Sequence, residues 1–285
     1  MSATALQAAV REVVNASGEW RKWKALGPSV SAMERAASAV FRGQAADVRR
    51  VLNAHETAWP VQEAAVPDRF AEFIQRVLHG RRDRDALKLA PSLGDAMAAA
   101  LEIIGKAQWG ISFTLEDVGA SAYMKAHGAE LVRELNKTTV ADLRAILTQG
   151  VEEGWSYNRV AAAITKKYAS YAAVRGQYGI PTRAHLIAVT ENAYAYEASH
   201  LAQARWLADA GLPMVKEWGV SGDERDCEEC DANGDEGPIP LEKAFGSGDD
   251  MPPLHPACRC WVEISVDPDA TVPEDVTING QSLSL

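Results

Sequence analysis

The chain has 285 residues, 47% of them hydrophobic and 24% charged, with a formal net charge of −10. That length allows one large or two modest domains, and the apolar fraction excludes a wholly disordered chain. The charge is uneven: residues 217–285 hold 17 acidic and 3 basic side chains, while residues 1–216 hold 22 acidic and 26 basic. Such an acidic C-terminal part argues against gripping a nucleic-acid backbone unaided. No run approaches about 18 apolar residues, so no membrane contact is expected, and the N-terminus lacks the basic-then-apolar order of a secretory signal. A bacterial or viral cytoplasm is the expected compartment.

Up to about residue 210 the sequence reads as helical, rich in Ala, Leu, Glu, Arg and Lys with apolar positions three and four apart. Val30, Met33, Ala37, Val40 and Phe41 form one stripe. Phe70, Phe73, Ile74, Val77 and Leu78 form another, opened by Pro67–Asp68. Leu115 to Leu135 offers a third, weakened at Gly119 and Gly128. Thr139-Val-Ala-Asp142 ahead of Leu143, Ile146 and Leu147 reads as a capping box opening a short helix that Gly150 and Gly154 end. Ser156 is placed to cap the next, with Val160, Ile164 and Tyr168 on its buried face. After a breaker cluster at 176–181, one long helix is expected from Thr182 to Ala210, stopped by Gly211 and Pro213. From Val215 the texture changes to short β-like pieces: Val215–Val220, Ile239–Leu241 and Trp261–Val266. Residues 267–285 read as an acidic, flexible extension.

All four cysteines fall in one segment, Cys227-Glu-Glu-Cys230, then His255-Pro-Ala-Cys258-Arg-Cys260, a C-x2-C-x24-H-x2-C-x-C spacing. A C-x2-C turn sets two sulfurs side by side, and a second pair from a distant loop can complete a tetrahedron around zinc, which favours thiolate and imidazole. Cys227, Cys230, His255, Cys258 and Cys260 are five candidates for four positions. If Cys258 and Cys260 lie on a regular strand they face opposite ways and His255 is the fourth ligand. If the turn is tight, both bind and His255 stands behind them. Arg225 and Arg259 are near enough to offset the negative charge. A structural zinc is the reading. Two disulfides are disfavoured by a reducing compartment, and a catalytic zinc, with Glu228 or Glu229 as base, would need an open position.

The stretch Trp218, Asp223-Glu-Arg225-Asp-Cys227-Glu-Glu-Cys230, Gly237-Pro-Ile-Pro-Leu241, Phe245 and Pro252-Pro-Leu-His255-Pro-Ala-Cys258-Arg-Cys260 resembles the Mu-F-type phage head morphogenesis (minor head protein) family. The helix with Thr190-Glu191-Asn192-Ala193 resembles the helix preceding this motif, with Val189 where the family usually has Arg. The resemblance is dense over 183–264 and extends back to about 138. It implies a minor head protein of a tailed phage or prophage acting in prohead assembly near the portal. The virion head or prohead is then its location, with host cytoplasm during assembly.

Elsewhere, Glu191 reads either as a buried partner of a basic group near the metal or as a surface carboxylate. Of Tyr194 and Tyr196, one is expected in the core and one at an interface. His55, His79, His127, His185 and His200 read as surface or packing residues. Arg81-Arg-Asp-Arg84 could touch DNA, but Asp83 and Asp85 make a salt-bridged turn the preferred reading. Trp218 and Trp261 are expected to pack beside the metal. Trp20 and Trp23 are expected in helix contacts.

Together these readings predict a mainly α protein: a helical N-terminal region (1–137), a Mu F-like domain (138–266) and the tail (267–285), with a small α+β C-terminal module stapled by one structural zinc. The expected function is structural and not enzymatic. Portal or major capsid protein is the expected partner of the acidic module, with packaged DNA met through the N-terminal region. The rivals are a zinc-dependent nuclease or toxin-like hydrolase, and a zinc-ribbon DNA-binding protein.

Overall fold

The computed structural model describes residues 3–54, 66–106, 112–173, 182–222, 226–271, 277–278 and 281–282. Helices α1 (Ala3–Ala54), α2 (Val66–His79), α3 (Arg82–Ala100, prolonged by a π-helical stretch over Leu101–Lys106), α4 (Ala120–Glu152), α5 (Tyr157–Ala172) and α6 (Arg183–Asp209) come first. The C-terminal part adds strands β1 (Met214–Gly219), β2 (Ile239–Pro240) and β3 (Trp261–Val266), with helix α7 (Glu228–Asp235) after β1. The fold is mainly α with a small α+β C-terminal module, as the sequence predicts. The 176–181 breaker, His55 and Arg225 lie outside the described residues.

The chain divides into two compact units. One comprises Met1–Ser31, Ser92–Ala122 and Ala188–Leu285, the other Ala32–Pro91 and Tyr123–Ile187. Pro28, deep in α1, and Pro91, in the middle of α3, fall at or close to a border between the units along the chain. Proline has no N–H to give the preceding turn, so the helical ladder is interrupted at these two places.

In the all-helical unit the predicted stripes are the buried faces. Met33, Ala37, Val40 and Phe41 are sealed on α1, as are Ile74 and Leu78 on α2 and Val160, Ile164 and Tyr168 on α5. Ser156 caps α5, accepting the Arg159 N–H. The turn before α3 is a salt-bridged one, as preferred: buried Arg81 pairs with Asp47 and with Asp85 at 3.1 Å.

One local prediction fails. Thr139 opens no helix, because α4 runs through it unbroken from Ala120 to Glu152. Its buried hydroxyl donates to the Leu135 carbonyl at 2.7 Å and accepts from the Arg183 guanidinium at 3.0 Å. Arg183 in turn lies over the rings of Phe41 and Tyr171, at 5.2 and 4.7 Å. The capping pattern was outbid by this tertiary partner. Gly119 does mark a boundary, at φ +63 just before α4, whereas Gly128 sits inside the helix.

Helix α6 begins at a Thr182 cap that accepts the His185 N–H and ends before Gly211, at φ +100; from Ala188 on it belongs to the other unit. The chain then enters β1, the centre of a three-stranded antiparallel sheet ordered β2-β1-β3. Lys216 pairs with Ile239, and Met214 to Gly219 run against Val266 to Trp261. In the tail, β4 (Thr277–Ile278) and β5 (Gln281–Ser282) pair antiparallel.

Candidate metal centre

Alternation along β1 places Lys216 and Trp218 on one face. Trp218 is 1% exposed and meets Phe245 edge-on at 5.1 Å. Around it gather Cys230, Ile239, Phe245, Cys258 and Cys260, with Val220, Cys227 and Leu254 packed against them. The Lys216 ammonium lies over the Phe245 ring and donates to the Asp250 carbonyl at 2.9 Å. The loop after Phe245 is fixed to α7 from below: Asn233 donates to Ser247 Oγ and accepts the Ser247 N–H, and Glu236 accepts the Gly246 N–H.

Each ligand candidate has a backbone reason for its position. Cys227 is the N-cap of α7, its sulfur accepting the Cys230 N–H at 3.4 Å. The second knuckle turns at Ala257, whose φ of 59 is left-handed, and the Cys258 N–H returns to the His255 carbonyl at 3.1 Å. Strand β3 begins only at Trp261, so Cys258 and Cys260 precede the regular strand. Both are buried in the same cluster as Cys230. The turn therefore brings both cysteines to the cluster before the strand begins.

The donor atoms meet in two overlapping groups: those of Cys227, Cys230 and His255 lie within 4.8 Å of one another, as do those of Cys230, Cys258 and Cys260. Cys230 Sγ is 3.7 Å from Cys258 Sγ and 3.8 Å from His255 Nε2. A tetrahedral ion with sulfur at about 2.3 Å would set sulfurs roughly 3.8 Å apart, so the spacing fits a metal ion. His255 Nδ1 lies 3.1 Å from the Pro256 carbonyl; a proton held there leaves the Nε2 lone pair turned to the cluster. Hydrogen bonds from Cys230 and Cys260 hold the Cys258 thiol well below the usual range, and the bond to Cys258 raises Cys230. A cation among them would release the remaining protons. The set is able to hold a metal ion.

Two expectations about neighbours change. Trp261 turns away from the cysteines: its indole lies over Gly219 and Gly18, where an added Cβ would come within 2.3 and 2.6 Å of the ring. Glu191 is half-buried, and the sealed carboxylate is Glu197, one turn and more along α6. Glu197 pairs with Lys22 at 2.7 Å, accepts the Val262 N–H at 3.1 Å and lies 3.7 Å from His200 Nδ1. Burial acts to raise its pKa, yet Lys22 and His200 hold it below the ordinary carboxylate value. His200 is thus a buried partner of an acid and not a surface residue. Nothing local in the sequence marks Lys22 or Glu197; a lysine between two tryptophans was the only sign. Tyr196 is core and Tyr194 half-buried, and Trp20 is exposed with Lys24 over its ring.

Arg259 lies between acids as well, 3.0 Å from Glu19 and 3.2 Å from Asp226, and it donates to Ser221 Oγ. The family described as Phage Mu protein F like protein matches residues 141–263, a span that contains all five ligand candidates. No curated protein and no solved structure matches the chain.

Proposed function

We propose, from the match of residues 141–263 to the family described as Phage Mu protein F like protein, that the chain is a minor head protein of a tailed phage or prophage, acting in prohead assembly at or near the portal. The match supports phage head morphogenesis in general. The observation that supports a structural role is the domain's sulfur cluster, packed among Trp218, Ile239 and Phe245. Zinc is the ion that four thiols and an imidazole suit best. Five donors exceed the four that structural zinc takes, which favours a structural ion over a catalytic one with an open position.

The acidic module then docks on a basic face of portal or major capsid protein. Packaged DNA is met through the all-helical unit. There a cleft of about 800 Å³ is lined by His79, Arg82, Arg133, Lys137 and Arg144, with Glu134 as its acid. Among the described residues no helix is long and apolar enough to cross a membrane.

Removing the gene from the producing phage or prophage tests this. Electron microscopy of lysates is expected to show aberrant heads or few DNA-filled ones, restored by the wild-type chain but not by Cys230→Ser. Normal heads in normal number without the protein would overturn it.

A further inference from the structure

The ligand-bearing segment does not rest on its own module alone. Five of the six residues 257–262 are held from outside by two helices. On α6, Thr190 Oγ1 accepts the Ala257 N–H at 3.0 Å and Glu197 accepts the Val262 N–H. On α1, Glu19 pairs with Arg259, Lys22 donates to the Cys260 carbonyl at 2.5 Å, and Gly18 leaves the space that the Trp261 indole fills. Residues 259, 260 and 261, one after another, meet a single turn of α1. Lys22 belongs to both grips, since the same buried ammonium binds Glu197 and the carbonyl of a ligand candidate.

From this we infer that the metal centre and α1 are thermodynamically linked: residues 18–22 are positioning residues for the metal loop, and ion binding in turn fastens α1. The physical basis is reciprocity. A contact that favours the folded loop favours the ion, and an ion that fixes the loop favours the contact by the same factor. Groups that orient metal ligands act on affinity in this way, by about 10- to 100-fold when removed. Residues 18–22 lie outside the matched span of 141–263, so a segment beyond the domain completes its site. The inference rests on the metal reading above.

The full-length chain, loaded with zinc and titrated against a chromophoric chelator, supplies the first test. Lys22→Met and Gly18→Ala are each expected to weaken zinc by at least about tenfold. Gly18→Ala is informative because alanine favours helix, so any loss comes from the Trp261 contact. Phe113→Ala is the control for general destabilisation. It removes an edge-on contact with Trp206 at 5.5 Å in the same unit, touches none of these groups, and is expected to leave zinc affinity unchanged. The second test reads the reverse direction by hydrogen exchange. Stripping zinc is expected to speed exchange at amides 18–31 and not in α5. Unchanged affinity in both folded variants, or unchanged exchange at 18–31 on stripping, would overturn the linkage while leaving the metal site standing. A full-length chain that takes up no zinc would overturn both.

Discussion

Lys22, Arg81 and Lys216 are buried cations, and each has found an acid: Glu197, Asp47 with Asp85, and Asp250. A buried pair gains little over an apolar core, but breaking one by removing a single partner strands the other charge at a cost of about 3–5 kcal/mol. Arg81→Met is therefore expected to destabilise the chain by roughly that amount at pH 7, read by chemical denaturation. The pH dependence has a definite sign. Burial would raise Asp47, but hydrogen bonding and charge from Arg81 hold it below its ordinary value. Its contribution is therefore present above the ordinary value and lost as pH falls through the folded one. The gap between wild type and variant should narrow below about pH 4; an equal gap at pH 7 and pH 3 would contradict the assignment. Arg81 was legible because Asp83 and Asp85 interleave its cluster. Lys22 and Glu197 were not, because partners so far apart along the chain leave no local period to read.

At the scale of elements, those with an internal signal were legible. Helix α6 is bracketed by Thr182 and Gly211, α5 by Ser156, and β1 and β3 alternate. Helix α7 has no such signal. Its sequence, EECDANGD, is acidic and without an apolar stripe, yet it buries Cys230, Asn233 and Gly234. It forms because Cys227 caps it and because Asn233 and Glu236 hold the following loop. The ligand set itself was legible from order and spacing, while the choice of turn at Ala257 depended on contacts from α6. An element held by a cap and a few polar bonds should depend on the ion. Protein purified without chelator is expected to contain about one zinc per chain by elemental analysis. After chelation, limited proteolysis should cut within 226–260 while α5 survives. A zinc-free module that resists protease equally would refute the dependence.

At the scale of the whole molecule, the charge division read from the sequence acquires an address. The acidic residues 217–285 all lie in the unit that holds the cysteines, and the basic cleft lies in the other. Each cleft arginine that neutralises a phosphate releases a counterion, so DNA affinity should fall with salt at nearly one decade per decade for each contact. Arg133→Ala combined with Arg144→Ala is expected to reduce that slope by roughly two. Absence of DNA binding at low salt would remove this partner. The bond between Lys22 and the Cys260 carbonyl has a further consequence. Its two ends are 238 residues apart, and translation at about 5–20 residues per second separates their emergence by tens of seconds. Through that interval α1 exists without the loop that satisfies Lys22 or the indole that covers Gly18. The unit that contains the metal centre can close only after the ribosome has delivered nearly the whole chain. Products cut short before residue 197 thus lack the acid of Lys22, and those cut short before residue 261 lack the indole that covers Gly18.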